Sequence, residues 1–195
     1  WSAIMNIKDM KFVITGSGAG IGAGTAIRAA SYGAKVMLSD INDENGQSIV
    51  ESIRAKGGTA FYKHCDVTNE NQVKELMSET EEQLGGIDVL HNNAGIHESM
   101  ISEDLSLDTM SIETFHKVMD INVTGSWLCA KYALPYLRKS KYASIINAGS
   151  TSSIAGYPNC VAYGISKGAV MQMTKMLAVD LAIDSIRVNC YCPGS

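Results

Sequence analysis

The sequence predicts an α/β fold, a doubly wound parallel sheet inside a three-layer α/β/α sandwich. Three observations predict it. Short apolar runs alternate with helix-periodic segments along the whole chain. Glycines punctuate these segments, as at Gly33, Gly57-Gly58 and Gly85-Gly86. The first apolar run leads directly into a glycine-rich turn. Strands that alternate with helices lie parallel, joined by right-handed crossovers that put helices on both faces.

Lys11 to Thr15 reads as the first strand, followed by the glycine stretch 16–22 and a helix from Ala23 to Tyr32 that Gly33 stops. Lys35 to Ser39 is a second strand ending at Asp40, and Asp43 to Lys56 has helical spacing through Ile49, Val50 and Ile53. Thr59 to Cys65 is a third strand and Asn69 to Leu84 a charged amphipathic helix. Ile87 to His91 is a fourth, running into Asn92-Asn93-Ala94-Gly95. One long helix is expected over Ile112 to Lys139, kinked or ended by Pro135. Ser144 to Ala148 is a strand, Val161 to Ile183 a helix, and Ile186 to Tyr191 the last strand. Residues 1–195 read as a single domain. The chain stops at Pro193-Gly194-Ser195, directly after a strand, so a closing helix, a last strand and a substrate-binding segment are expected beyond it.

At 46% hydrophobic and 18% charged residues the chain is a folded globular one rather than disordered. A formal net charge of -4 supplies no field to draw nucleic acid, and no nucleic-acid partner is expected. No membrane association is expected, because no apolar run reaches the roughly 20 residues that span a bilayer. The start, Trp1-Ser2-Ala3-Ile4-Met5, lacks the basic and apolar regions of a secretory signal. Five irregularly spaced cysteines read as reduced thiols of a cytoplasmic protein. Cys190 and Cys192 lack the second cluster a zinc site needs, so no metal is expected.

Thr15-Gly16-Ser17-Gly18-Ala19-Gly20-Ile21-Gly22 lies where the first strand becomes the first helix. Glycines there allow positive φ and let the backbone approach a pyrophosphate, while the helix end favours the anion. A glycine string alone fits a flexible turn equally well; its place between strand and helix points to a Rossmann-type dinucleotide site. Asp40 ends the second strand, where a carboxylate binds ribose hydroxyls, although a helix cap or loop acid is the alternative, as for Asp43. A carboxylate there repels a 2′-phosphate by roughly 4 kcal/mol at ~4 Å and an effective dielectric of ~20. Ile41-Asn42-Asp43-Glu44 adds no cation to offset this, which favours NAD over NADP.

Tyr163-Gly164-Ile165-Ser166-Lys167 puts a phenol and an ammonium one helical turn apart on one face. A phenol near pKa ~10 is a poor base at neutral pH, and a neighbouring cation stabilises its phenolate by about 1.4 kcal/mol per unit of depression. In a chain with eight tyrosines such a spacing is close to a chance event. Other motifs give it meaning.

In order along the chain, these motifs resemble the short-chain dehydrogenase/reductase family in its compact, single-domain branch. The likeness lies in Thr15-Gly16 with Gly20-Ile21-Gly22, Cys65-Asp66-Val67, and Asn92-Asn93-Ala94-Gly95. It continues through Ile121-Asn122-Val123-Thr124-Gly125, Ser150 thirteen residues before Tyr163, Arg187-Val188-Asn189 and Pro193-Gly194. The resemblance implies a Rossmann-type fold, NAD as cofactor, and a secondary alcohol or ketone as substrate. It implies Tyr163 as general acid/base, Lys167 as the group that lowers its pKa and binds the nicotinamide ribose, Ser150 as hydrogen-bond partner of the substrate oxygen, and Asn122 as support for a water-linked proton relay. Gly16, Gly18, Gly20, Ile21, Gly22, Asp40, Asp66, Val67, Asn93, Ala94, Gly95, Pro193 and Gly194, with Tyr163 and Lys167, would hold the cofactor. Asp66 would meet adenine and Pro193-Gly194 the nicotinamide. It also implies a homotetramer.

Two departures stand out: His91 occupies a position that is usually aliphatic in the family, and His97 to Ser111 is longer than usual. His97, Ser152 and Tyr157 are expected near the substrate. Thr151, Ser152 and Ser153 leave the serine register open by a residue, and the spacing favours Ser150. Two other functions fit a similar fold: a non-catalytic dinucleotide-binding regulator, and an NADPH-dependent reductase of carbonyls or acyl thioesters. The full set Asn122, Ser150, Tyr163 and Lys167 disfavours the first, and Asp40 the second.

Overall fold

Six apolar runs become six parallel strands: β1 (Lys11–Thr15), β2 (Lys35–Asp40), β3 (Thr59–His64), β4 (Val89–Asn92), β5 (Ser144–Ala148) and β6 (Arg187–Tyr191). The computed structural model describes residues 6–194; the stretch Trp1 to Met5 and Ser195 lie outside the described residues. The sheet order is β3-β2-β1-β4-β5-β6, the doubly wound Rossmann-type arrangement. Its direction of growth reverses between β1 and β4, which leaves a crevice at their carboxyl ends.

Both faces of each central strand are buried, so the strands read as apolar runs rather than as alternating ones. On one face Ile14, Val36 and Leu38 pack against Ala26, Ala29 and Ala30 of α1 (Gly20–Ser31) and Val50 and Ile53 of α2 (Asp43–Ala55). On the other, Val13, Met37, Leu90 and Ile145 meet Val73, Leu76 and Met77 of α3 (Glu70–Leu84). Leu128, Cys129 and Ala133 from α5 (Ser126–Leu137) complete that layer. The register sets Val13 between Met37 and Leu90, at the centre of the sheet.

Three helix expectations need correction. The first helix begins at Gly20 rather than Ala23, because the last glycines of the turn form its opening turn. The long helix is interrupted: α4 (Ile112–Met119) passes through a π segment, Asp120–Gly125, before α5, and Pro135 falls in the last turn of α5, two residues before its end. Widened turns of this kind recur at functional sites, and this one holds Asn122. The helix after β5, α6 (Val161–Asp180), gives way to a short 3-10 turn at Ala182–Asp184 instead of running to Ile183.

Candidate active site

The carboxyl ends of β1 and β4 are tied together by side chains. Asn93 Nδ2 donates to the main-chain oxygens of Thr15 (3.1 Å) and Gly16 (2.8 Å). Thr15 Oγ1 in turn accepts the N–H groups of Asn93 (3.2 Å) and Ala94 (3.1 Å). Asn92 braces the next strands, its Nδ2 donating to Asn147 Oδ1 at 2.9 Å. The glycine turn is thereby fixed against the fourth strand.

Within the turn two glycines are irreplaceable on geometry. Gly16 has φ +61, and a Cβ there would stand 2.7 Å from Ala94 Cα. A Cβ on Gly22 would stand 2.2 Å from Gly16 O. Gly18 donates its N–H to Asp40 Oδ2 at 2.8 Å, and Asn42 N–H binds Oδ1 at 3.0 Å. The α2 cap is Asn42, not Asp40 or Asp43, so the capping alternative for Asp40 fails. Two of the roughly four acceptor positions of the Asp40 carboxylate remain free toward the cleft.

That cleft has a volume of about 580 Å³ and is lined by Gly16, Ala19, Gly20, Asp40, Asp66 and Val67 on one side and Asn93, Ala94 and Gly95 on the other. Gly16 and Gly20 present main chain to this cleft with no side chain between, beside the opening turn of α1, which suits a dinucleotide pyrophosphate. A second hollow of about 320 Å³ shares Asn93, Gly95, Ile96 and Met100 with it and adds Ile21, His97, Tyr163, Lys167 and Pro193. The two form one continuous groove. Gly18 and Gly22 line neither hollow: Gly18 packs against the Asp40 side chain and Gly22 against Gly16 O.

Tyr163 and Lys167 stand on the first two turns of α6, with Lys167 Nζ 5.6 Å from the centre of the Tyr163 ring. Lys167 is buried and donates to Ala148 O at 2.8 Å. Burial pushes its ammonium down from 10.5 to about 8, against the opposing influence of the Cys190 and Cys192 thiols. Two of its three donors remain available.

Ser150 is buried at the end of β5 and does not line the groove itself. Its Oγ accepts Ser152 N–H at 3.1 Å, which leaves its own proton free to donate. Ser153 Oγ accepts Ser150 N–H (3.1 Å) and donates to Lys167 O (2.9 Å), so this turn is bolted to α6. Asn122 lies behind the groove: Oδ1 accepts Ile96 N–H at 2.8 Å, and Nδ2 donates to Ile96 O and Ser166 Oγ, both at 2.9 Å. Gly194 packs near Thr151. Ser152 and Tyr157 line a separate hollow with Ile154 and Gly164, which Tyr163 itself does not line.

Several residues in or behind the groove have no local signature of the contacts they make. Lys117 of α4 is the one cation lining the larger cleft among the described residues. Glu98 is fully buried beside the start of α6, and Thr15 works through its hydroxyl. A larger hollow, about 730 Å³, lies elsewhere along α1 and β6; of the expected site residues it contains only Ile21. No helix among the described residues is long and apolar enough to cross a membrane, and none of their His, Cys, Asp and Glu side chains form a group able to hold a metal ion.

Residues 11–195 match the short chain dehydrogenase family. A 2,5-dichloro-2,5-cyclohexadiene-1,4-diol dehydrogenase of Sphingobium indicum is 39% identical over 97% of this chain and 74% of its own length. An uncharacterized oxidoreductase of Thermotoga maritima is 37% identical over 98% of this chain and 73% of its own. The crystal structure of an NAD+-bound xylitol dehydrogenase superposes with a TM-score of 0.91 at 35% identity, covering 96% of this chain and 71% of that one. The chain belongs to the short-chain dehydrogenase/reductase family of oxidoreductases.

Proposed function

We propose that this protein interconverts a secondary alcohol and a ketone with NAD, using Tyr163 as the general acid/base. One observation carries the reading: Tyr163 and the buried Lys167 open onto the same groove as the glycine turn and Asp40. When bound, NAD+ supplies the hydride acceptor for the carbinol carbon. Asp40, on its two remaining acceptor positions, would take the adenosine ribose hydroxyls. Asp66 and Val67 would flank the adenine, and Gly16, Gly18, Gly20, Ile21 and Gly22 would surround the pyrophosphate. Asn93, Ala94, Gly95, Pro193 and Gly194 would border the nicotinamide half.

As phenolate, Tyr163 takes the hydroxyl proton of the alcohol; as phenol, it returns a proton to the ketone oxygen in reverse. Lys167 stabilises the phenolate by its charge and has donors left for the nicotinamide ribose. Ser150, buried directly behind the groove-lining Gly149, would offer its free O–H to a substrate oxygen seated at that end. The side chain of Asn122 is filled by protein partners, so its contribution to a proton relay runs through its main-chain carbonyl, which Ser126 Oγ already approaches at 2.8 Å.

Relatives named for a cyclic diol and for xylitol support a secondary alcohol as substrate. Five free thiols support a reducing, cytoplasmic setting. The family resemblance supports a homotetramer, which light scattering on the purified protein tests. In the full-length enzyme, Tyr163→Phe should lose about 10²- to 10⁴-fold in turnover while NADH binding, followed by fluorescence, persists. Retained turnover would overturn the assignment.

A further inference from the structure

Glu98 opens the short 3-10 turn Glu98–Met100, three residues beyond Gly95, and has no exposed surface. Both carboxylate oxygens are committed to α6: Oε1 accepts Ala162 N–H at 3.0 Å, and Oε2 accepts Tyr163 N–H at 3.1 Å. A carboxylate is costly to bury without compensation. No Lys or Arg pairs with it among the described residues. His97 Nδ1 lies 3.6 Å away but accepts Ser99 N–H at 3.1 Å, so it donates no hydrogen bond to Glu98. Compensation comes from the start of α6, whose free N–H groups and positive end favour an anion. The residue that precedes the helix, Cys160, makes no capping side-chain bond. Glu98 fills that role from a distant point in the sequence.

The rest of the segment is fixed as well. Asn122 holds both main-chain groups of Ile96, and the His97 ring lies against that of Tyr163, with centroids 4.9 Å apart. The loop leaving β4 therefore grips Tyr163 by its main chain through Glu98 and flanks its ring through His97.

We infer that Glu98 is a positioning residue for the redox reaction, holding Tyr163 in register with the strand end that carries Asn93 and Gly95. The inference rests on the reading of Tyr163 as acid/base. A purely structural cap would change the melting temperature and leave the turnover of each folded molecule alone. A positioning role separates turnover from cofactor binding, since displacement of about 1 Å can cost on the order of 100-fold in rate.

The test compares Glu98→Gln, Glu98→Asp and Tyr163→Phe in the full-length enzyme, on folded fractions. Glutamine keeps the shape but turns an NH2 toward one of the two N–H groups; aspartate keeps the charge on a shorter arm. Glu98→Gln should lower kcat about 10- to 100-fold with the Kd for NADH nearly unchanged, and Glu98→Asp should recover part of the loss. Wild-type kcat in Glu98→Gln, or a parallel collapse of NADH binding, overturns the inference. Should Glu98→Gln fail to fold, Glu98→Asp carries the test: reduced kcat with NADH binding kept supports it, and unchanged kcat overturns it. Turnover retained by Tyr163→Phe overturns the acid/base reading itself. An inactive Tyr163→Phe beside a fully active Glu98→Gln overturns only the role of Glu98.

Discussion

His91 Nε2 lies 3.1 Å from the phenol oxygen of Tyr191 and donates to it. The direction follows from the partners further along. Asn93 Nδ2 donates to Thr15 and Gly16, so its Oδ1 is the acceptor that faces Tyr191, and the phenol gives its only proton there at 3.2 Å. The imidazole must then donate. A chain of hydrogen bonds thus runs from β4 through β6 to the glycine turn, and an imidazole where the family usually has an aliphatic side chain becomes part of what holds Asn93.

This arrangement predicts acid sensitivity. His91 Nδ1 is buried without a partner, and burial pushes the imidazole pKa from 6.5 down to about 4. Between those values the unfolded chain binds a proton that the folded chain refuses, so stability present above pH 6.5 is lost as pH falls toward 4. At about 1.4 kcal/mol per unit the loss approaches about 3 kcal/mol. His91→Leu should flatten this part of the stability curve, read as the urea midpoint between pH 7 and pH 4. Equal slopes in the two proteins would refute it.

Lys167 predicts a trend at the alkaline end. Its folded value of about 8 lies below the ordinary 10.5, so in that window the unfolded chain holds the extra proton. Stability owed to this group therefore rises as pH climbs from 8 toward 10.5. Lys167→Met removes the buried charge and also leaves Ala148 O without its donor, two effects of about 1 to 3 kcal/mol each that oppose one another near pH 7. The variant should lose turnover, melt close to the wild type at pH 7, and fall below it at pH 10. A difference in melting temperature that stays constant with pH would contradict this account.

Asp40 predicts the cofactor preference. Its carboxylate is anchored by Gly18 and Asn42 N–H groups, so it does not swing away from an approaching 2′-phosphate. Asp40→Ser removes a repulsion of roughly 4 kcal/mol at ~4 Å and also the acceptors for the ribose hydroxyls. The ratio of kcat/KM for NAD to that for NADP should drop by about two orders of magnitude or more. Steady-state rates with both cofactors measure it, and a wild type that already prefers NADP would reverse the assignment.

Much of this architecture is legible along the chain, and the limits of legibility have a physical pattern. Lys11–Thr15 and Ser144–Ala148 are readable to the residue because each is an apolar run with abrupt polar or glycine borders. Ile87 and Asp88 precede β4 rather than joining it, since strand pairing starts only at Val89 against Phe12, and no local rule sets that point. Tyr163, Lys167 and Asp40 are legible because motif spacing carries them. Glu98 is not: a glutamate in a polar loop looks solvated, and only the fold brings the start of α6 onto it. Lys117 and the π segment are hidden for the same reason, as both depend on contacts between distant elements.

Gly22 and Gly24 are neighbours on α1 that should respond in opposite ways to the same substitution. A Cβ at Gly22 would meet Gly16 O at 2.2 Å and Asn93 Nδ2 at 2.6 Å; the first is main chain and cannot give way without moving the turn. Gly22→Ala should therefore destabilise the fold by on the order of 1 to 3 kcal/mol, as overpacking does, and weaken NADH binding because Asn93 and Gly16 shift together. At Gly24 nothing lies within 4 Å of a Cβ, and its φ is not in the left-handed region. Gly24→Ala there gains the helix preference of alanine, about 1 kcal/mol, and should raise the melting temperature with kinetics unchanged. Thermal melts and NADH titrations of the two variants, run side by side, separate a turn shaped by close approach from simple helix propensity. If Gly22→Ala also raised the melting temperature, the tight packing assigned to Gly22 would be wrong; if Gly24→Ala lowered it, the open space assigned to Gly24 would be.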